Sequence, residues 1–105
     1  MAFRVVFTPK AEAEIDAFAA YLADHSPIVA DRIITELAEA ITQHIKPRPT
    51  MWQYFFLTGA PYRAYLFKVS RRTAFWIVYS IDEEAEEINI LRFWNGSGDP
   101  EVFDI

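Results

Sequence analysis

A chain of 105 residues, 52% hydrophobic and 16% aromatic, holds enough apolar material for one core, and no stretch reads as an interdomain linker, so residues 1–105 are expected to form a single domain. The absence of cysteine excludes disulfides, thiol nucleophiles and thiolate metal sites, and two scattered histidines, His25 and His44, do not make a zinc site, so no metal or cofactor is expected. The net charge of −5 opposes docking on an RNA-rich surface.

The chain opens on Phe3-Arg4-Val5-Val6-Phe7, a short β-branched and aromatic run that predicts a strand. This opening lacks the apolar stretch of a signal peptide. No later segment is long and apolar enough to span a bilayer, so a cytoplasmic protein without membrane contact is expected. Thr8-Pro9 has the form of an N-cap followed by proline at the first helical position. Ala11, Ile15, Phe18 and Leu22 then recur at helical spacing, with Glu12, Glu14 and Asp16 near the positive end of the helix dipole. Asp24-His25 ends this helix, and Ser26-Pro27 repeats the start signal. Ala30, Ile33, Leu37 and Ile41 form the stripe of a second, longer helix. Pro47 stops it, because proline disfavours helical geometry in the residue before it. The short turn between the helices predicts an antiparallel hairpin. His25 and His44 read as surface residues at helix ends.

Pro47-Arg48-Pro49 opens an irregular region. Met51 to Leu57 is apolar without a clean period and admits either a strand or a packed loop, and Thr58-Gly59-Ala60-Pro61 signals a turn. Three strand-like runs follow: Tyr62 to Val69, Thr73 to Ile81 and Ile88 to Trp94. Ser70-Arg71-Arg72 joins the first two and the acidic run Asp82 to Glu87 joins the last two, connections that suit antiparallel hairpins. Asn95 to Pro100 has the turn chemistry of a flexible tail. The expected fold is therefore α+β: an N-terminal strand, an antiparallel helical hairpin, then a three-stranded antiparallel meander, packed as a two-layer sandwich. The sheet face away from the helices is expected to be open and to be the natural place for a site.

Charge is unevenly spread along the chain. From Ile45 to Ile81 there is no acid, and there are six bases: Lys46, Arg48, Arg63, Lys68, Arg71 and Arg72. Both flanks are acidic. This pattern suggests one positive face on an acidic body, set against the alternative of ordinary solvated bases on strand surfaces.

The same residues resemble a known family. The opening strand followed by Thr8-Pro9-Lys10-Ala11-Glu12-Ala13-Glu14-Ile15 is similar to the P-x-A-x-x-x-L/I start of ParE/RelE toxins. Ala30 and Arg32 after Ser26-Pro27 resemble the P-x-A-A-x-R second helix. Pro61-Tyr62-Arg63, Phe75-Trp76-Ile77-Val78-Tyr79, an acidic turn and Ile88-Asn89-Ile90-Leu91-Arg92 are similar to the family's YR, IVY and I-x-I-L-R ending. The likeness covers nearly the whole chain, least well from Pro47 to Ala60. It implies a type II toxin, held inactive by a cognate antitoxin that wraps over its surface. The target it implies is either DNA gyrase, as for ParE-like members, or mRNA cut on the ribosome, as for RelE-like members. A non-toxic binding module of the same fold, and a homo-oligomer, are also compatible with the sequence.

RNA cleavage by 2′-hydroxyl attack needs a base, an acid and positive groups on the phosphate. Arg63, Lys68, Arg71, Arg72 and Arg92 are candidates for the positive groups, but the tail after Trp94 has no histidine, tyrosine, lysine or arginine. Asn95 stands where many relatives show histidine, and Gly98 where they often show a base. Glu101 is the tail group considered plausible for acid–base work, and Tyr79 or Tyr65 is the remaining route. These departures favour the ParE-like branch, acting by binding, with the same five basic residues as candidate target contacts. Arg92 is expected on the open face, since it alternates with Leu91 and Phe93; the plainer reading is a strand arginine paired with an acid. Trp94 and Trp52 are candidate antitoxin contacts, and Trp76 reads as packing.

Overall fold

The computed structural model describes residues 3–55 and 62–96. In chain order it contains β1 (Arg4–Phe7), α1 (Pro9–His25), α2 (Pro27–Ala40), a π-helical turn (Ile41–Ile45), β2 (Arg63–Lys68), β3 (Ala74–Asp82) and β4 (Glu87–Asn95). Both helix starts form as their sequences predict. The Ala11 amide donates to the Thr8 hydroxyl oxygen (3.2 Å) and the Val29 amide to that of Ser26 (3.3 Å). The second helix does not stay α-helical up to Pro47. The Thr42 hydroxyl donates to the Ala38 carbonyl (2.7 Å), competing for the acceptor an α-helix would give the Thr42 amide. The chain widens into the π turn, closed by the Lys46 amide on the Ile41 carbonyl (2.8 Å), and both Ile41 and Ile45 stay buried.

The four strands form one sheet in the order β1-β4-β3-β2. The meander is antiparallel, and β1 lies at one edge, parallel to β4, from Arg4 opposite Glu87 to Phe7 opposite Ile90. The architecture is the expected α+β sandwich. Ala11, Ile33, Leu37, Ile41 and Ile45 meet Phe67, Ile77, Tyr79, Ile88, Ile90 and Phe93 in the main core, with Ile15 and Phe18 packed at its margin. The Phe18 ring lies 4.6 Å from Phe75, which itself stacks on Phe93 at 4.2 Å.

The register shifts between Val78, opposite Arg92, and Tyr79, opposite Ile90, so Leu91 is an extra residue on β4. This bulge lets Ile88, Ile90 and Phe93 all reach the helix-side core, which strict alternation forbids. The face away from the helices is not open as expected. Phe55, Ala64 and Val78 are buried there, with Tyr62, Trp76 and Trp94 packed around them as a second apolar cluster. The run from Met51 packs as a loop with strand-like pairing at its centre. Tyr54 bridges to Arg63, the Phe55 amide donates to the Tyr62 carbonyl (2.8 Å) and the Ala64 amide to that of Gln53 (2.9 Å). The end of that run, the turn Thr58–Pro61 and the tail beyond Gly96 lie outside the described residues. No helix among the described residues is long and apolar enough to cross a membrane.

Candidate functional site

The two edges of the sheet decide what the candidate residues can do. β1 ends at Phe7 while β4 continues to Asn95, so beyond Ile90 β4 has no strand on its outer side among the described residues. Polar groups at the start of α1 take that place. The Thr8 amide donates to the Ile90 carbonyl (3.0 Å), the Thr8 hydroxyl to the Leu91 carbonyl (3.1 Å), and the Phe93 amide to Oε1 of Glu14 (3.0 Å). The same Glu14 carboxylate accepts Nε and Nη2 of Arg92 at 2.9 and 2.8 Å, a bidentate charge-assisted pair. Arg92 is only 6% exposed, and its guanidinium lies 5.0 Å from the centre of the Trp94 ring. Its pairing with Val78 puts it on the expected side of the sheet, but it is buried and bonded to α1 rather than displayed. The plainer reading, an arginine paired with an acid, is the one found. Sequence reasoning missed Glu14, whose only signal is its place beside Ile15 at the margin of the helix's apolar stripe.

The other basic candidates do not share one face. Arg63 pairs across to Tyr79 and so points to the helix side, while Lys68, five residues on and opposite Ala74, points to the other side. They run instead along the outer edge of β2 to the β2–β3 hairpin. Arg63 is partly used by the fold: Nη1 donates to the Trp52 carbonyl (2.7 Å), Nη2 to the Tyr54 hydroxyl oxygen (3.1 Å), and the guanidinium sits 4.2 Å from the Tyr54 ring centre. Lys68, Arg71 and Arg72 are exposed, with no ion pair among the described residues, around a shallow depression that also includes Ser70 and Thr73. The opposite end of β3 leads into the acidic turn of Asp82, Glu83, Glu84, Glu86 and Glu87. Nine residues of strand separate the two ends by about 26 Å. The molecule is thus electrically polarised along β3, a feature its net charge conceals.

The two tyrosines considered for acid–base chemistry are both engaged. Tyr79 is fully buried, and its hydroxyl donates to the Pro49 carbonyl at 2.6 Å, pinning the loop after the π turn to the sheet. Burial holds its phenol well above the usual value, while the nearby Arg63 guanidinium pulls weakly the other way. Tyr65 stacks on His44 at 5.7 Å and meets the edge of Trp52 at 4.7 Å. His44 is exposed in the last turn of the helical segment, a surface residue at a helix end as expected, and its ring also contacts Tyr65 and Trp52. The raised phenol has a measurable consequence. Above pH ~10 the unfolded chain gives up the Tyr79 proton while the folded chain keeps it, so stability should fall as pH rises past that value. Tyr79→Phe should cost about 1–3 kcal/mol at neutral pH, by leaving the buried Pro49 carbonyl without its donor, and should flatten the loss between pH 9 and 11. Denaturant titrations of parent and variant across that range check both effects.

The candidate antitoxin contacts are built into the fold as well. The Trp52 indole N–H donates to the His44 carbonyl (2.8 Å), and Trp94 pairs with Trp76 across the strands in the second cluster. Both remain half-buried and keep some exposed surface.

A sequence model of the family described as "ParE toxin of type II toxin-antitoxin system, parDE" matches residues 5–100. The chain belongs to the ParE toxin family. The match runs from Val5 within β1 through β4 into the tail, so it takes in every described element of this ParE-family chain except the first residue of β1. No curated protein matches the sequence. Family membership makes the chain the toxin component of a type II toxin–antitoxin system and implies an antitoxin partner.

Proposed function

We propose that this ParE-family toxin arrests growth by binding a cellular target, DNA gyrase, and that a cognate antitoxin neutralises it. The observation that carries binding over cleavage is Tyr79: its hydroxyl is committed to Pro49 and its ionisation is suppressed by burial, so it is unsuited to proton transfer. Tyr65 is held between rings. The target surface is the outer edge of β2 with its hairpin, carrying Arg63, Lys68, Arg71 and Arg72; Arg92 supports the fold behind it. Purified toxin should inhibit supercoiling by gyrase or trap its cleaved-DNA complex. Primer extension after induction should show no cuts within ribosome-bound codons. Codon-specific cuts with unaffected gyrase would promote the ribosome-dependent mRNA endonuclease instead, and no growth arrest at all would leave a non-toxic binding module.

The antitoxin is better placed at the other edge of the sheet than at Trp52 or Trp94, which the fold already uses. Two apolar depressions share Phe7, Ala38 and Ile41: one reaches Ile15, Ile34 and Leu37 between the helices, the other Phe3 and Val5 along β1. Glu12 and Asp16 rim the first and Arg4 and Lys46 the second, so the groove has an acidic and a basic end. An antitoxin segment with apolar anchors, bases at one end and acids at the other complements it. Ala38→Arg puts a good helix former with a bulky charge at an exposed position in the middle of the groove. It should leave the melting temperature within a few degrees and weaken antitoxin co-purification about 10-fold or more. Unchanged co-purification would move the antitoxin elsewhere.

A further inference from the structure

We propose that the toxin itself binds single-stranded nucleic acid along the outer edge of β2, stacking a base on Tyr54 and holding phosphates at Lys68, Arg71 and Arg72. This rests on reading that edge as the target surface and narrows it: the cations meet a polyanionic strand rather than an acidic protein surface. Three observations support it. First, the acid-free stretch from Ile45 to Ile81 supplies both the edge and the hairpin. Glu36 and Glu39 of α2 share a depression with Lys68, whereas the depression around Arg71 and Arg72 is lined by no acid among the described residues, so the positive field is strongest at the hairpin. Lys68, Arg71 and Arg72 are exposed and have no ion pair among the described residues.

Second, Tyr54 is 59% exposed although it is held in place. Its hydroxyl oxygen accepts Nη2 of Arg63 at 3.1 Å, and the Arg63 guanidinium lies 4.2 Å from the ring centre. A fixed, exposed ring next to cations is the arrangement by which proteins take up unpaired bases, since stacking on it loses little rotamer freedom. A duplex hides its base faces and has no use for that ring, which is why the strand is single. Third, the acidic turn lies about 26 Å from the hairpin, at the far end of β3, and so orients a polyanion hairpin first. Tyr54, paired with Arg63 opposite Tyr79, sits roughly 17 Å back along β2 from Lys68, on the side nearer that turn, so the bound strand runs from the hairpin toward it. The net charge of −5 is therefore no barrier to binding at this end.

The test is fluorescence anisotropy of the purified full chain with labelled twelve-residue oligo-deoxythymidine, oligo-uridine and a duplex of the same length, at about 50 mM salt. Both single strands should bind, with the duplex at least about 10-fold weaker. Three phosphate contacts predict a slope of log K against log salt of about −2. Tyr54→Ala should weaken binding about 10-fold and Tyr54→Phe should retain it, while Arg71→Glu with Arg72→Glu should abolish it, all in variants whose thermal melts show a folded protein. Absence of strand binding by the parent overturns the inference, as do equal binding by the duplex or insensitivity to these substitutions. The growth phenotype separates the two readings. If the double reversal relieves growth arrest while the parent binds no oligonucleotide, the edge meets an acidic protein and only this inference falls. If the reversal abolishes oligonucleotide binding and leaves growth arrest intact, this inference stands and the target reading falls.

Discussion

Glu14→Ala should cost about 3–5 kcal/mol of folding stability, toward the lower end because the Glu14 side chain keeps 24% of its exposure. The substitution takes the carboxylate from a nearly buried guanidinium and the acceptor from the Phe93 amide at once. For a domain of this size that corresponds to a fall in melting temperature of roughly 15 °C. Glu14→Gln should fall between parent and alanine, since an amide oxygen still accepts from Phe93 but carries no charge for Arg92. Arg92→Met should be milder than Glu14→Ala, because an apolar side chain of similar length fills the site and Glu14 keeps the Phe93 amide and its contact with water. Thermal melts of the four proteins give the ranking. A Glu14→Ala protein melting within about 2 °C of the parent would show that the pair adds nothing, and that α1 is held to β4 by packing alone. The same result bears on function: loss of growth arrest in an Arg92 variant is to be read as unfolding until its melt shows otherwise.

Reversing both hairpin charges, Arg71→Glu with Arg72→Glu, should lower growth arrest about 10-fold or more while leaving the melting temperature nearly unchanged. Both side chains are exposed, in a turn held by backbone bonds from Val69 and Ser70 to the Thr73 carbonyl (2.9 and 3.1 Å), so the substitutions touch no core contact. The effect comes from encounter. Four units of charge change at one end of a polarised molecule slow association with an anionic target, and the loss should shrink as salt rises, because the Debye length is ~8 Å at physiological ionic strength. Toxicity titrated by inducer level, with expression measured alongside, gives the number. A folded double variant as toxic as the parent would move the target surface away from the hairpin, to the helical layer or to the residues between Pro47 and Ala60.

What the sequence alone determined are the features that depend on neighbours along the chain. The caps at Thr8 and Ser26, the stripes through Ile33 and Leu37, and the meander with its basic and acidic turns all rest on local periodicity and turn chemistry, which act over a few residues. The family resemblance was legible for the same reason, since its motifs are short and keep their order, and the match over residues 5–100 agrees with it. The tertiary structure decided what requires two distant segments to meet. β1 pairs in parallel with β4 across more than eighty residues, and nothing local in Phe3 to Phe7 names that partner. The extra residue at Leu91 breaks a strand pattern that reads as regular, so the alternation argument placed Arg92 on the correct side of the sheet but in water. Glu14 captures that arginine only because β1 stops at Phe7 and leaves the edge of β4 to the helix that follows. Tyr79, an ordinary strand tyrosine by sequence, loses its acid–base availability to a carbonyl thirty residues away. In each case the deciding energy is the cost of burying a polar group without a partner. That cost arises only once the fold has excluded water, so no sequence window carries it.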